Sequence, residues 1–179
     1  MKNGLIVVGA TLASLALTIP AAYAGTVVVE DGADATASPH DIVAMKVKHK
    51  QDRLVVRTTH TDLRKHSDGG GSGTTIYIDS NKSRKGPELA LTSGLESGTD
   101  YALVKVKKWK LTDRRVDCDY RFRINWAKDF TKLRLDRACF KSASTVRVSQ
   151  KMVDSWDGSH PVTDWAPGKR AFSPWVVSD

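Results

Sequence analysis

The sequence contains few of the local motifs that identify an enzyme. It has no G-x-S-x-G element, and the glycine-rich segment GGGSG at 69–73 lacks the Lys-Ser or Lys-Thr step that completes a phosphate-binding loop. The five histidines show none of the spacings of a helical zinc enzyme. Local patterns therefore predict no catalytic, cofactor-binding or metal-binding residues, although catalytic groups of an all-β protein can come from distant loops.

Helical periodicity and internal repeats are also scarce. Short alternating segments rich in Val, Ile, Thr and aromatic residues recur instead, separated by Gly, Asp, Asn, Ser and Pro, and this pattern is typical of strands. About nine strands in one domain predict an antiparallel β-sandwich. The predicted strands are 26–30, 42–50, 53–60, 74–79, 87–92, 100–110, 119–127, 130–138 and 144–153. The segment 154–179 has three prolines and little periodicity, which predicts an irregular C-terminal tail.

The first 24 residues have the parts of an export signal. A lone Lys2 precedes an apolar run at 5–17, and an A-x-A site follows at 22–24. The alternative is a transmembrane anchor, but the apolar run is short and no basic cluster follows it. The pattern predicts cleavage after Ala24 and a secreted domain over 25–179, extracellular or cell-wall associated, without a membrane span. No cysteine lies near the site, which disfavours a lipid anchor.

Positive charge exceeds negative charge along the chain. It has 28 Lys and Arg against 20 Asp and Glu, a formal net charge of +8. Such an excess favours acidic partners, namely nucleic acid, anionic lipid or anionic cell-wall polymer. Export disfavours nucleic acid among the three.

The two cysteines are predicted to form a disulfide. If 128–129 is a two-residue turn, Cys118 lies opposite Cys139 at the open end of a hairpin. Opposed residues lie within disulfide reach, and an exported protein meets an oxidising environment. The alternative, half of a zinc site, lacks a nearby Cys or His partner. The same register places four apolar residues on one buried face: Phe122, Ile124, Leu133 and Leu135.

The outer faces of two hairpins are rich in cations. A turn at 51–52 pairs the first two long strands, and the later hairpin repeats the pattern. The predicted register places Arg123 opposite Arg134, which is tolerable only where water or an anionic ligand screens the pair. These cations form either a binding face for an anionic ligand or a merely solvated face. The candidate residues are Lys46, Lys48, Arg57, Arg121, Arg123, Lys132 and Arg134.

Tryptophan is conspicuous, with five residues in the chain. Trp109, Trp165 and Trp175 are candidates for stacking against sugar rings, because sugars pack on flat aromatic faces. The alternative for each is packing in the core or capping of the sandwich.

Three segments carry a family resemblance. DIVAMKVKHKQDRLVVRTTHTDL, then TIYIDSN and DYALVKV, resemble the early strands of family 9 carbohydrate-binding modules and DOMON domains over residues 41–106. The resemblance implies a jelly-roll-like sandwich that binds sugars or, in some DOMON domains, haem, but no ligand residue carries over. A structural calcium beside Asp79 and Asn81 is disfavoured by the cations that follow, and Arg84 stands where a calcium loop needs glycine.

These observations favour a secreted, non-catalytic binding or accessory module. The expected ligand is a carbohydrate or an anionic cell-envelope polymer. The alternatives are a secreted hydrolase with dispersed catalytic residues and an interaction or inhibitor protein that uses the tail or the loop 61–73.

Overall fold

The computed structural model describes residues 23–67, 69–155 and 160–179, and these residues form two β-sheets packed face to face. No helix in these ranges is long and apolar enough to cross a membrane. The strands in chain order are β1 (Tyr23–Ala24), β2 (Thr26–Glu30), β3 (Ile42–His49), β4 (Arg53–His60), β5 (Ser72–Asp79), β6 (Leu89–Gly94), β7 (Tyr101–Lys107), β8 (Lys110–Arg115), β9 (Tyr120–Asn125), β10 (Phe130–Asp136), β11 (Thr145–Asp154), β12 (Val162–Ala166) and β13 (Val176–Val177).

The smaller sheet has the order β2-β3-β4-β10-β9, and the larger sheet has the order β1-β13-β11-β5-β6-β7-β8 with β12 also paired to β11. All strand pairs are antiparallel except β1 with β13. The protein is therefore an all-β sandwich, as the alternating pattern predicts.

The core lies between the sheets because each long strand alternates apolar and polar residues. Leu54, Leu133 and Leu135 of the smaller sheet are fully buried, as are Ile76 and Leu91 of the larger one. Full burial of one such side chain stabilises the fold by about 1.5–3 kcal/mol.

A polar bridge crosses the interior between the two sheets. Thr58 of the smaller sheet donates a hydrogen bond to Gln150 of the larger sheet, whose amide nitrogen donates to the Thr74 hydroxyl at 2.9 Å. All three residues are buried, so these hydrogen bonds satisfy groups that would otherwise be costly to desolvate.

The disulfide prediction is confirmed, but the register that suggested it is wrong by two residues. Cys118 and Cys139 are bonded, with Cα atoms 5.5 Å apart. The predicted turn at 128–129 is instead a longer connection, because Trp126–Lys128 form a 3₁₀ turn that ends at Asp129 in the left-handed region. Leu133 consequently pairs with Phe122. A slip of two residues preserves the faces of a strand, so Phe122, Leu133 and Leu135 are buried as predicted, whereas Ile124 is half-buried.

The first hairpin follows the predicted register over most of its length. His49 pairs with Leu54, and Val47 pairs with Val56, around the turn at 51–52. An irregularity between Ile42 and Ala44 then brings Ile42, instead of the expected Val43, opposite His60.

The predicted strand 100–110 is in fact two strands. The chain reverses between β7 and β8 at Lys108 and Trp109, which have φ values of 49° and 65°. Positive φ is uncommon for residues other than glycine, so the sequence gives no turn signal there. The indole of Trp109 packs against Tyr77, and this contact holds the turn in place.

The segment 154–179 is more ordered than its composition predicts. Strand β12 pairs with the C-terminal half of β11, and β13 pairs with the first two residues of β11. Residues 156–159 lie outside the described residues, as does 1–22 of the predicted signal peptide. Strand β1 contains the last two residues of that peptide, so cleavage after Ala24 would remove β1 from the sheet.

Candidate functional site

The seven predicted cations all lie on the outer face of the smaller sheet, which we call the basic face. Lys46, Arg57, Lys132 and Arg123 are successive cross-strand neighbours on β3, β4, β10 and β9. Because adjacent strands lie about 4.8 Å apart, this row of four cations spans about 14 Å.

A second row of the basic face runs parallel to the first. It contains Lys48 on β3, then Val55, and then the neighbouring pair Arg134 and Arg121. Arg123 does not lie opposite Arg134 as expected. Because the register differs by two residues, Arg123 lies opposite Lys132, and Arg121 lies opposite Arg134. Both observed pairs still oppose like charges, which destabilises a sheet in the absence of a counter-charge.

The basic face is accessible and is not neutralised by its own carboxylates. Lys48 and Lys132 are half-buried, and the other five residues are exposed. Within the described residues, no carboxylate oxygen lies within 4.0 Å of any of the seven cationic groups. The Arg57 guanidinium lies 3.7 Å from the centre of the Phe130 ring, which orients it without neutralising it.

One end of the basic face is bordered by acidic residues. A shallow depression of about 290 Å³ beside Arg121 and Arg134 is also lined by Asp52, Asp119 and Asp136. The carboxylates limit the basic face on this side, so the row of Lys46, Arg57, Lys132 and Arg123 is its most uniformly positive part.

The three candidate tryptophans lie on the opposite side of the sandwich, on the outer surface of the larger sheet. The Trp109 and Trp165 rings are 6.0 Å apart and inclined by 70°, and Trp165 stacks on Tyr77 at 5.8 Å and 9°. Phe172 packs on Trp109 at 4.8 Å. Each tryptophan is half-buried, and the inclined rings of Trp109 and Trp165 do not form a flat platform for a sugar.

Cationic side chains pack against the rings of Trp165, Phe172 and Trp175. The Arg147 guanidinium lies 4.4 Å from the centre of the Phe172 ring and 4.6 Å from that of Trp175. Lys151 and Lys82 approach Trp165 and Trp175 at 5.8 and 5.2 Å. The rings pack against one another and against these cations, which accounts for their clustering without a ligand.

Asp79, considered above for calcium, is occupied by other partners. It is fully buried, and its Oδ2 lies 2.6 Å from Nη2 of Arg147, while its Oδ1 accepts a hydrogen bond from the Asn81 backbone at 3.2 Å. Asp79 therefore forms a structural ion pair that holds β5 to β11.

A serine, a histidine and an aspartate meet in the interior, but not in the arrangement of a hydrolase. Ser38 donates its hydroxyl to Asp154, and His40 Nδ1 lies 3.3 Å from the same carboxylate without hydrogen-bond alignment. His40 Nε2 accepts a hydrogen bond from the Arg64 backbone at 3.2 Å. Because that nitrogen faces a backbone amide and the serine faces the carboxylate, the histidine is not positioned to activate the serine as a nucleophile.

Three carboxylates from two distant segments of the sequence come together where β12 meets the segment after β2. Asp31, Asp34 and Asp164 place one oxygen each within 4.8 Å of one another. Burial and the neighbouring carboxylates raise the pKa of Asp31 to about 7. Carboxylate oxygens are ligands for hard cations, but proximity of carboxylates alone does not define a metal site.

No known family model matches the chain, and no curated protein matches it.

Proposed function

We propose that this protein is a non-catalytic binding module that holds an anionic polymer on its basic face, with an acidic polysaccharide or phosphate-rich polymer of the cell envelope as the ligand. The observation that carries the proposal is the row of four neighbouring cations with no carboxylate within salt-bridge distance in the described residues. Like-charge neighbours are destabilising unless a counter-charge screens them.

The geometry of the basic face suits an extended polymer better than a small ligand. The cations follow a line of about 14 Å on the outer surface of the sheet, so a chain lying across the strands would contact several of them at once. Contacts of this kind release bound counterions and make binding strongly dependent on salt.

An exported location is part of the proposal. The Cys118–Cys139 bond fits an oxidising compartment, where such bonds persist. Removal of the signal peptide would then deliver the domain to the envelope, where anionic polymers occur.

Retention on isolated cell wall and on a heparin-like resin at low and high salt tests the proposal. We expect retention of the native protein at low salt and release at high salt. The variant Arg123→Glu/Arg134→Glu reverses one exposed cation in each row and should be retained weakly at low salt. Equal retention of native and variant protein, or no retention at low salt, would reject the basic face as the binding site.

A matched control separates the basic face from net charge. Lys65→Glu/Lys110→Glu makes the same change in net charge at two exposed positions outside the face. It should be retained nearly as well as the native protein.

A further inference from the structure

A separate cavity opens at one end of the sandwich, between strands β7 and β8 of the larger sheet and the 3₁₀ turn Arg137–Phe140. We call it the mouth pocket. It has a volume of about 660 Å³, within the usual range of small-molecule sites. Its walls come from β7, β8, the connection between β5 and β6, and residues 139–143. It shares no residue with the basic face.

An irregular strand pairing shapes one wall of the mouth pocket. Val104 pairs with Arg115 and Val106 pairs with Leu111, so three residues of β8 stand opposite Lys105 alone. The Thr112 hydroxyl donates to the Lys105 carbonyl at 2.8 Å and replaces a lost ladder hydrogen bond. The extra residues 112–114 all line the pocket. Bulges of this kind redirect side chains and are over-represented next to functional sites.

The floor of the mouth pocket is apolar and fixed. Leu89 and Phe140 are buried core residues at its base, and Cys139 of the disulfide lies beside Phe140. The covalent link ties the 3₁₀ turn to Cys118, just before β9, and so holds this wall in place. A rigid apolar base is the usual means by which a pocket receives the body of an organic ligand.

The rim is positively charged. Five cations line the pocket against two carboxylates, Glu88 and Asp113, and no cation of the rim lies within 4.0 Å of a carboxylate oxygen in the described residues. The rim cations are Arg84, Lys105, Lys107, Arg114 and Lys141.

Glu88 adds a polar group with unused hydrogen-bonding capacity. Its Oε2 accepts from the Ser80 backbone at 2.9 Å, while its buried Oε1 has no partner in the part of the chain described. Burial raises the pKa of Glu88. The unpartnered oxygen can form a hydrogen bond with a polar group of a bound ligand.

We propose that the mouth pocket binds a small amphipathic anion, whose apolar body rests on Phe140 and Leu89 and whose acidic headgroup meets the rim cations. This site is independent of the basic face: it takes one small molecule in a concave cavity, whereas the basic face takes a polymer on the outer surface of the smaller sheet.

The test uses 1-anilinonaphthalene-8-sulfonate, an aromatic sulfonate whose fluorescence reports binding, with the folded full-length mature domain. We expect saturable binding of one probe per chain, displaced by octanoate and not by equal concentrations of 1-octanol. Equal displacement by both competitors would overturn the assignment of an anion, and failure to reach saturation would overturn the site.

Three variants locate the binding. Arg114→Ser/Lys141→Ser removes two exposed rim cations and should weaken probe binding at least about tenfold, because hydrogen bonds to charged groups are among the strongest a site can lose. Arg121→Ser/Arg123→Ser removes the same charge from the basic face and should leave the affinity within about twofold. Equal loss in both variants would show attraction by net charge and would refute the proposal. Ala143→Trp, which fills the cavity without changing charge, should abolish binding by a protein whose circular dichroism is native.

Discussion

Acidification should act on the domain through His60, a buried residue at the end of β4. Its Nδ1 donates a hydrogen bond to the His40 carbonyl at 2.7 Å, and its Nε2 is buried without a partner among the described residues. Burial is the largest cause of a pKa lowered from 6.5 to about 4. The folded protein therefore holds this imidazole neutral.

The sign of the effect follows from proton binding. Between pH 6.5 and 4 the unfolded chain binds a proton at His60 and the folded chain does not, so the free energy of unfolding falls as the pH falls. A pKa change of this size lowers the free energy of unfolding by about 3 kcal/mol in total. Between pH 7 and 4.5 the decrease is about 2 kcal/mol.

Asp31 opposes this loss of unfolding free energy on acidification. Its raised pKa of about 7 means that the folded protein binds a proton that the unfolded chain releases, so acidification from pH 7 to 4 stabilises the fold. Asp31 is only partly buried, and solvent screening reduces its share. The native protein should thus show a weaker dependence on pH between these limits than His60 alone would give, because Asp31 acts in the opposite direction.

Two variants separate the effects. His60→Gln keeps a donor for the His40 carbonyl but cannot titrate, so between pH 7 and 4.5 it should lose about 2 kcal/mol less unfolding free energy than the native protein. Over the same pH range, Asp31→Asn should lose more unfolding free energy than the native protein. Urea denaturation at pH 7, 5.5 and 4.5 provides the comparison. If His60→Gln follows the native dependence within about 0.5 kcal/mol, His60 does not titrate in the window and the reasoning fails.

Three further outcomes concern the scaffold. Leu135 is fully buried, so Leu135→Ala should lower the free energy of unfolding, measured by urea denaturation, by about 2–5 kcal/mol. Val28 is 46% exposed, and the control Val28→Ala should lower it by less than about 1 kcal/mol. A loss below about 0.5 kcal/mol for Leu135→Ala would mean that this face is solvated. Cys118→Ser/Cys139→Ser should lose about 2–4 kcal/mol, and two free thiols in exported native protein would contradict the bond. Mass spectrometry of exported protein should find Gly25 at the amino terminus, and a longer amino terminus would refute cleavage after Ala24.

The sequence was most informative about which residues share a face. Alternation has a period of two, so the buried side of β9 and β10 remained correct although their register differed by two residues. The same property kept the cations of the basic face together. The register itself was not predictable, because nothing in the residues Trp126–Lys128 marks a 3₁₀ turn instead of continued strand.

Features built from distant segments could not be predicted. The turn at Lys108 and Trp109 uses positive φ without glycine or asparagine, and it depends on packing of the indole against Tyr77, 32 positions earlier in the chain. The acidic cluster joins Asp31 to Asp164, and the mouth pocket joins four separate segments. Only tertiary contacts bring such groups together, so the local spacing of residues in the sequence does not predict these sites.

The most direct test of the central claim is the salt dependence of binding to a heparin-like polysaccharide, measured by titration calorimetry for the native protein and for Arg123→Glu/Arg134→Glu. Binding by the basic face predicts that the logarithm of the native association constant falls steeply and linearly with the logarithm of the salt concentration. The variant should bind more weakly at low salt and show a shallower slope. A native affinity that does not change with salt, or identical slopes for the two proteins, would contradict binding by the basic face.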